Sequence, residues 1–187
     1  MSESKTTLFG SFGRRRRLQK QICAERDRLY RIAWSWCHDS YQADDLVQET
    51  LARALAKIDN LREEGRLQVW LTQILANLHR DHYRRTQPET GQDTDLLPSR
   101  DDPEEQADRT QLITRTRRAI GLLNDDQRQV LTLVDLAEFS YADTAMILNV
   151  PVGTVMSRLS RARRRMREIL QQQGIGHADV VPLRRPQ

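Results

Sequence analysis

What this chain lacks narrows its chemistry. It has two cysteines, Cys23 and Cys37, in 187 residues, too few for a disulfide framework or a cysteine-built metal centre. Both fit buried thiols. His79 and His82 stand three apart on a helical stretch and, with His38 or Cys37, have a chelating spacing. No CxxC or HExxH context accompanies them, so they read as ordinary surface histidines. The eight glycines are scattered and form no phosphate-cradling loop, and no nucleophile elbow or metal-spaced carboxylate cluster is present. No enzymatic activity and no cofactor are expected. An apolar run of about 18 residues and a signal peptide are both missing, so the chain is expected to be cytoplasmic. Aromatics make up 5% of the chain, which leaves Leu, Ile, Val and Ala to build the core. Lysine is scarce as well: of 30 Lys and Arg only three are Lys (Lys5, Lys20, Lys57). The positive charge is therefore carried by arginine, the side chain that forks onto phosphates and guanine edges.

That arginine is concentrated. Between Pro151 and Arg167 stand Arg158, Arg161, Arg163, Arg164, Arg165 and Arg167, with no acid among them. Just before them, Ser140 followed by Asp143 is a helix-capping pattern. Ala145 is small enough to let a second helix approach, Asn149 tolerates the left-handed region a tight turn needs, and Pro151 suits the start of the next helix. Val155, Leu159, Ala162 and Met166 then form one buried stripe, with Ser157, Ser160, Arg161, Arg164 and Arg167 pointing the other way. A merely solvated face would intersperse acids in i,i+4 pairs, yet the first acid is Glu168. The pattern is a helix-turn-helix able to enter a major groove.

Nearly all of the remainder reads as helix. Residues 18–38 carry Ile22, Leu29, Ile32, Ala33 and Trp36 on one face. Asp39 and Ser40 can cap a second helix with a Val47, Leu51, Ala54, Leu55 and Ile58 stripe. A polar loop, 59–65, precedes Leu67, Trp70, Leu71, Ile74, Leu75 and Leu78, the cleanest amphipathic series in the chain. From 86 to 106 the composition turns acidic and proline-punctuated, as in a flexible linker. A second helical block, 107–170, carries Leu112, Ile113, Thr116, Ala119 and Ile120. It continues with an Asn124–Gln127 cap before Val130, Leu131 and Val134, and ends in the helix-turn-helix. Residues 1–17 read as a flexible basic arm and 171–187 as a disordered tail. The expected fold is all-α, with two small domains, 18–85 and 107–170.

Three blocks occur in order: Asp44-Asp-Leu-Val-Gln-Glu-Thr50, the Trp70-Leu71 to Arg84-Arg85 series, and Pro151 to Ala162. Together they resemble the extracytoplasmic-function (ECF) sigma factors of the bacterial sigma-70 superfamily, over roughly 18–85 and 107–170. The resemblance implies a non-enzymatic subunit with a region 2 and a region 4 domain. It would bind core RNA polymerase at the clamp helices of the largest subunit and the flap of the other large subunit. It would direct promoter recognition and melting, and be held inactive by an anti-sigma factor.

Residue roles follow from the same resemblance. On the second helix Gln42, Asp45, Leu46, Gln48, Glu49 and Arg53 would bind core polymerase; Leu46, read as exposed beside Gln42 and Glu49, has the character of a docking patch. The loop residues Asn60 and Arg62 would hold a flipped −10 base, with Asn77, Arg80, Asp81, Arg84 and Arg85 on the neighbouring strand. Thr154, Met156, Ser157, Arg158, Ser160, Arg161 and Arg164 would meet the −35 duplex. Met156 departs from the arginine many members carry there; methionine can touch a thymine methyl but cannot fork onto guanine. The runner-up is a stand-alone helix-turn-helix regulator, which would need a symmetric half-site arrangement and strong DNA binding alone.

Overall fold

The structure, a computed structural model, describes residues 3–86 and 109–172. The expected linker and tail lie almost entirely outside the described residues, as do the side chains of Leu112 and Ile113. Among the described residues there is helix and no strand.

The N-terminal domain is built from α1 (Glu3–Ala24), α2 (Arg26–Cys37), α3 (Ser40–Ala56) and α4 (Leu67–Thr86). Two short 3₁₀ turns, Ile58–Asn60 and Glu64–Arg66, lie between the last two. The helix expected over 18–38 is broken at Glu25. Its first part extends back to Glu3, across the boundary at which a flexible arm was expected to end. Leu18 and Ile22 are buried and anchor α1 against α3 and the first 3₁₀ turn; Arg14 and Arg17 pair with Glu64. That anchoring is why residues 13–17 belong to the domain. His38 ends α2 in the left-handed conformation (φ 51°), and the Asp39 side chain accepts from the Gln42 amide to start α3.

Which face of α3 turns inward differs from the periodicity reading. The buried set is Ala43, Leu46, Val47, Thr50 and Ala54, while Leu51 and Leu55 are only half-buried. Small side chains at 43, 50 and 54 let α2 and α4 come close, and the Thr50 hydroxyl is satisfied within its own helix by the Leu46 carbonyl at 2.6 Å. Leu46 is 7% exposed. It is a core residue, not part of a docking patch.

The C-terminal domain holds α5 (Arg109–Gly121), α6 (Asp125–Leu131), a π-helical turn (Thr132–Leu136), α7 (Tyr141–Leu148) and α8 (Val152–Gln172). Asn124 caps α6 by accepting from the Gln127 amide, as its sequence suggests. The π turn, closed by the Ala137 amide on the Thr132 carbonyl at 2.8 Å, carries Asp135, whose side chain is 1% exposed. Arg163 of α8 forks onto that carboxylate.

The two domains pack against each other, α2 on α5, α6 and the π turn, and α4 on α7. Three arginines cross the boundary to carbonyls at helix ends. Arg28 reaches Ala137 at 2.7 Å, Arg80 reaches Leu148 at 2.9 Å and Arg128 reaches Trp36 at 2.9 Å. The last carbonyls of a helix have no partner of their own and carry the negative end of its dipole, so a guanidinium is well matched to them.

Candidate nucleic-acid and protein interfaces

The helix-turn-helix forms as its residues dictate. The Ser140 hydroxyl accepts from the Asp143 amide at 3.0 Å and donates to the Asp143 carboxylate. Asn149 turns the chain in the left-handed region (φ 55°). The Pro151 carbonyl receives the amides of Thr154 and Val155 at the start of α8. Val155, Leu159 and Ala162 are buried on one side of α8; Met156, Ser157, Ser160, Arg161 and Arg164 are exposed on the other, with Thr154 half-buried. An exposed face of serines and arginines can offer both hydrogen-bonding hydroxyls to base edges and cations to phosphates; here the Ser157 hydroxyl donates to the Thr154 carbonyl at 3.0 Å and Arg161 Nε to the Ser157 carbonyl at 3.3 Å. Four of the six arginines have acidic neighbours. Arg163 is held by Asp135, Arg158 pairs with Asp126 at 2.6 Å with its side chain mostly covered, and Arg165 and Arg164 stand 3.3 Å and 3.9 Å from Glu168 in looser, exposed pairs.

On α4, Gln73, Asn77, Arg80 and Arg84 recur at helical spacing and make one stripe. Asn77, Asp81, Arg84 and Arg85 are exposed. Arg80 is not: besides the Leu148 carbonyl it bonds the Asn77 side chain at 3.3 Å. Gln73 donates to the Met146 carbonyl and Arg66 pairs with Asp143 at 2.7 Å, so α7 lies along this stripe. Asn60 and Arg62 stand exposed on either side of buried Leu61, close to the start of α4. Ile58, Leu61 and Leu67 pin the loop inward, which turns its polar side chains outward.

The outward face of α3 carries Asp45, Gln48, Glu49 and Arg53, with Gln42 half-buried at its edge; Glu49 and Arg53 pair at 2.7 Å. Sequence reading passes over Tyr41, which is 84% exposed at the head of this face. The signal for it was its position four residues before Asp45. An exposed tyrosine among charges is a common interface anchor.

The junction between the domains is polar and buried. Burial, with Arg128 adding to it, lowers His38 and His79 each to about 4, so both rings are neutral near pH 7. Gln129 lies 3.3 Å from His79 Nδ1; a proton on Nε2 leaves Nδ1 to accept. Burial raises Asp125 to about 6 against the pull of Arg128, and raises the Cys37 thiol to about 12. Cys23 is exposed, contrary to the expectation of a buried thiol, because it faces outward from the end of α1. No group of His, Cys, Asp and Glu among the described residues is arranged to hold a metal, and no helix among them is long and apolar enough to cross a membrane.

Comparison with known proteins agrees with this layout. Residues 22–89 match the sigma-70 region 2 family and residues 113–166 match sigma-70 region 4. The ECF RNA polymerase sigma factor EcfG of Rhodopseudomonas palustris is 38% identical over 154 residues, covering 82% of this chain and 84% of that protein. The chain belongs to the ECF sigma factors. It is also 33% identical to the ECF RNA polymerase sigma factor SigC of Mycobacterium tuberculosis over 160 residues, 83% of this chain and 84% of that one. Among solved structures it is similar to the sigma factor RpoE of Bartonella quintana in complex with the anti-sigma factor NepR. That match has TM-score 0.68 and 32% identity, over 81% of this chain and 95% of that one. ECF sigma factors act with core RNA polymerase in promoter recognition and transcription initiation. They are specificity subunits, and the stand-alone regulator reading finds no support among these relatives.

Proposed function

We propose that this ECF sigma factor divides its work among three surfaces. The outward face of α3, led by Tyr41 with Asp45, Gln48, Glu49 and Arg53, docks on core polymerase. The Asn60–Arg62 loop and the α4 residues Asn77, Arg80, Asp81, Arg84 and Arg85 capture and hold the −10 strand. The N-terminal half of α8 reads the −35 duplex, with Ser157 and Ser160 as sequence readers, Met156 as an apolar contact, and Arg161 and Arg164 on phosphates. The observation that carries the reading is the split of α8 into a buried apolar stripe and an exposed serine–arginine face. Likeness to a sigma factor solved with an anti-sigma factor supports a partner of that kind, with action in the cytoplasm.

The test is capture of purified core polymerase followed by run-off transcription from a library of promoters. Retention of core polymerase with promoter-selective transcripts is the expected result. Tight sequence-specific duplex binding by the protein alone, with no polymerase retention, would sink the reading.

A further inference from the structure

The exposed loop between the two 3₁₀ turns, proposed above to capture a base, is gripped from outside by α1. Arg14, Leu18 and Ile22 lie at four-residue spacing on one face of that helix. The lower two are buried and fix where the first points. Arg14 donates through NH2 to the Leu61 carbonyl at 2.9 Å and through Nε to Glu64 at 3.0 Å. Arg17 places NH2 3.0 Å and 2.9 Å from the two oxygens of the same carboxylate. Arg15 reaches Asp59 at 3.4 Å. Leu61 separates Asn60 from Arg62, so the carbonyl held by Arg14 belongs to the peptide between the two base-capturing residues. Partial burial raises the Glu64 carboxyl, but the hydrogen bonds from Arg17 and Arg14 outweigh it and leave the group below the ordinary glutamate value.

Isolated exposed ion pairs contribute little to stability. This cluster differs in being a network of two arginines on one carboxylate plus a backbone carbonyl, and its value lies in shape. An unrestrained loop must lose backbone freedom when it closes on a base, roughly 1–2 kcal/mol per residue fixed. A loop already held in its bound shape avoids that loss.

We propose that Arg14 and Arg17, acting through Glu64 and the Leu61 carbonyl, are positioning residues that preset the Asn60–Arg62 loop for capture of the melted −10 base. The inference rests on the assignment of that loop in the preceding section. Its physical content is that α1 contributes to promoter opening without touching DNA.

The experiment uses full-length protein with core polymerase, on one promoter either fully paired or mismatched over the −10 element, with open complex read by permanganate reactivity. Glu64→Gln and Arg14→Gln should each lower opening of the paired template about two- to tenfold, the range set by freeing one or two side chains. Their defect on the pre-melted template should be smaller, and Glu64→Asp, which keeps the carboxylate, should recover part of the loss. If the arginines instead gripped phosphates directly, Glu64→Gln would release them and strengthen DNA binding, which overturns the proposal. A lowered melting temperature with an unchanged paired-to-mismatched ratio would mark the cluster as structural only and overturn it as well. Asn60→Ala is the control. Normal opening with it removes the loop assignment itself, whereas an Asn60→Ala defect beside a normal Glu64→Gln removes the clamp alone.

Discussion

Arg128 of α6 donates to the Trp36 carbonyl across the domain boundary at 2.9 Å and to the Leu123 carbonyl of its own domain at 3.0 Å. One buried guanidinium thus closes the end of α2 and the turn before α6 together. Charge-assisted hydrogen bonds of this kind contribute about 1.5–3 kcal/mol each. The Trp36 Nε1, His38 Nε2 and Arg128 Nε atoms are buried without a hydrogen-bond partner among the described residues, which offsets part of that gain. Arg128→Leu is expected to lower the melting temperature and enlarge the radius of gyration by separating the domains. Calorimetry with small-angle scattering checks both; an unchanged radius would show that apolar contacts alone hold the domains together.

Leu46→Ala should destabilise the N-terminal domain by about 2–4 kcal/mol, the usual result of emptying a buried leucine site. Tyr41→Ala should leave the melting curve in place and weaken capture of core polymerase. Denaturation and a pull-down, run on both variants, separate the roles. A Leu46→Ala protein of normal stability would return that residue to the surface.

Helix α3 also shows where sequence reading reaches its limit. Val47, Leu51 and Leu55 satisfy a helical period, and so do Ala43, Leu46, Thr50 and Ala54. The second set looks weaker only because its members are small or polar. What selects it is close approach of neighbouring helices, which no local pattern encodes. Arg128 was missed for a related reason: its partner Trp36 lies 92 positions away, and an arginine in the first turns of a helix reads as solvated. The helix-turn-helix was legible because Ser140, Asn149 and the Val155–Leu159–Ala162 stripe act locally. The α1 clamp was not, since Glu64 is 47 to 50 positions from the arginines it meets.

The arginines of α8 should fall into two kinds. Arg161→Ala and Arg164→Ala are expected to keep stability and to flatten the salt dependence of upstream-duplex binding by about one log-log unit per lost phosphate contact. Arg163→Ala leaves the buried Asp135 carboxylate unpaired and should cost about 3–5 kcal/mol of stability. Equal effects of all three on the melting temperature would contradict this division.

Stability should fall between pH 7 and pH 5. His38 and His79 are lowered from 6.5 to about 4 in the folded chain. Their contribution is therefore present above about 6.5 and lost as unfolded histidines take up protons that the folded ones refuse. Asp125, raised from 3.8 to about 6, works the other way and adds stability over the same fall. Two histidines against one aspartate leave a net loss. Thermal melting at stepped pH checks the direction; His79→Gln should flatten the slope and Asp125→Asn should steepen it.

The bond from Arg80 to the Leu148 carbonyl makes this side chain a currency shared by two equilibria. A guanidinium committed to that carbonyl is not available in the same geometry to a phosphate, so if Arg80 holds the −10 strand as proposed, docking of α7 and binding of that strand are negatively coupled. Coupling of this kind is reciprocal. A DNA strand that takes Arg80 favours separated domains, and any partner that separates the domains raises strand affinity by the same factor while touching no nucleotide. The apparent affinity of the free protein for promoter DNA is its intrinsic affinity multiplied by the fraction of molecules already open. On the proposed role of Arg80, promoter affinity would thus be set partly by how firmly the two halves hold each other, a quantity that can be tuned at the junction without altering one residue that faces a base.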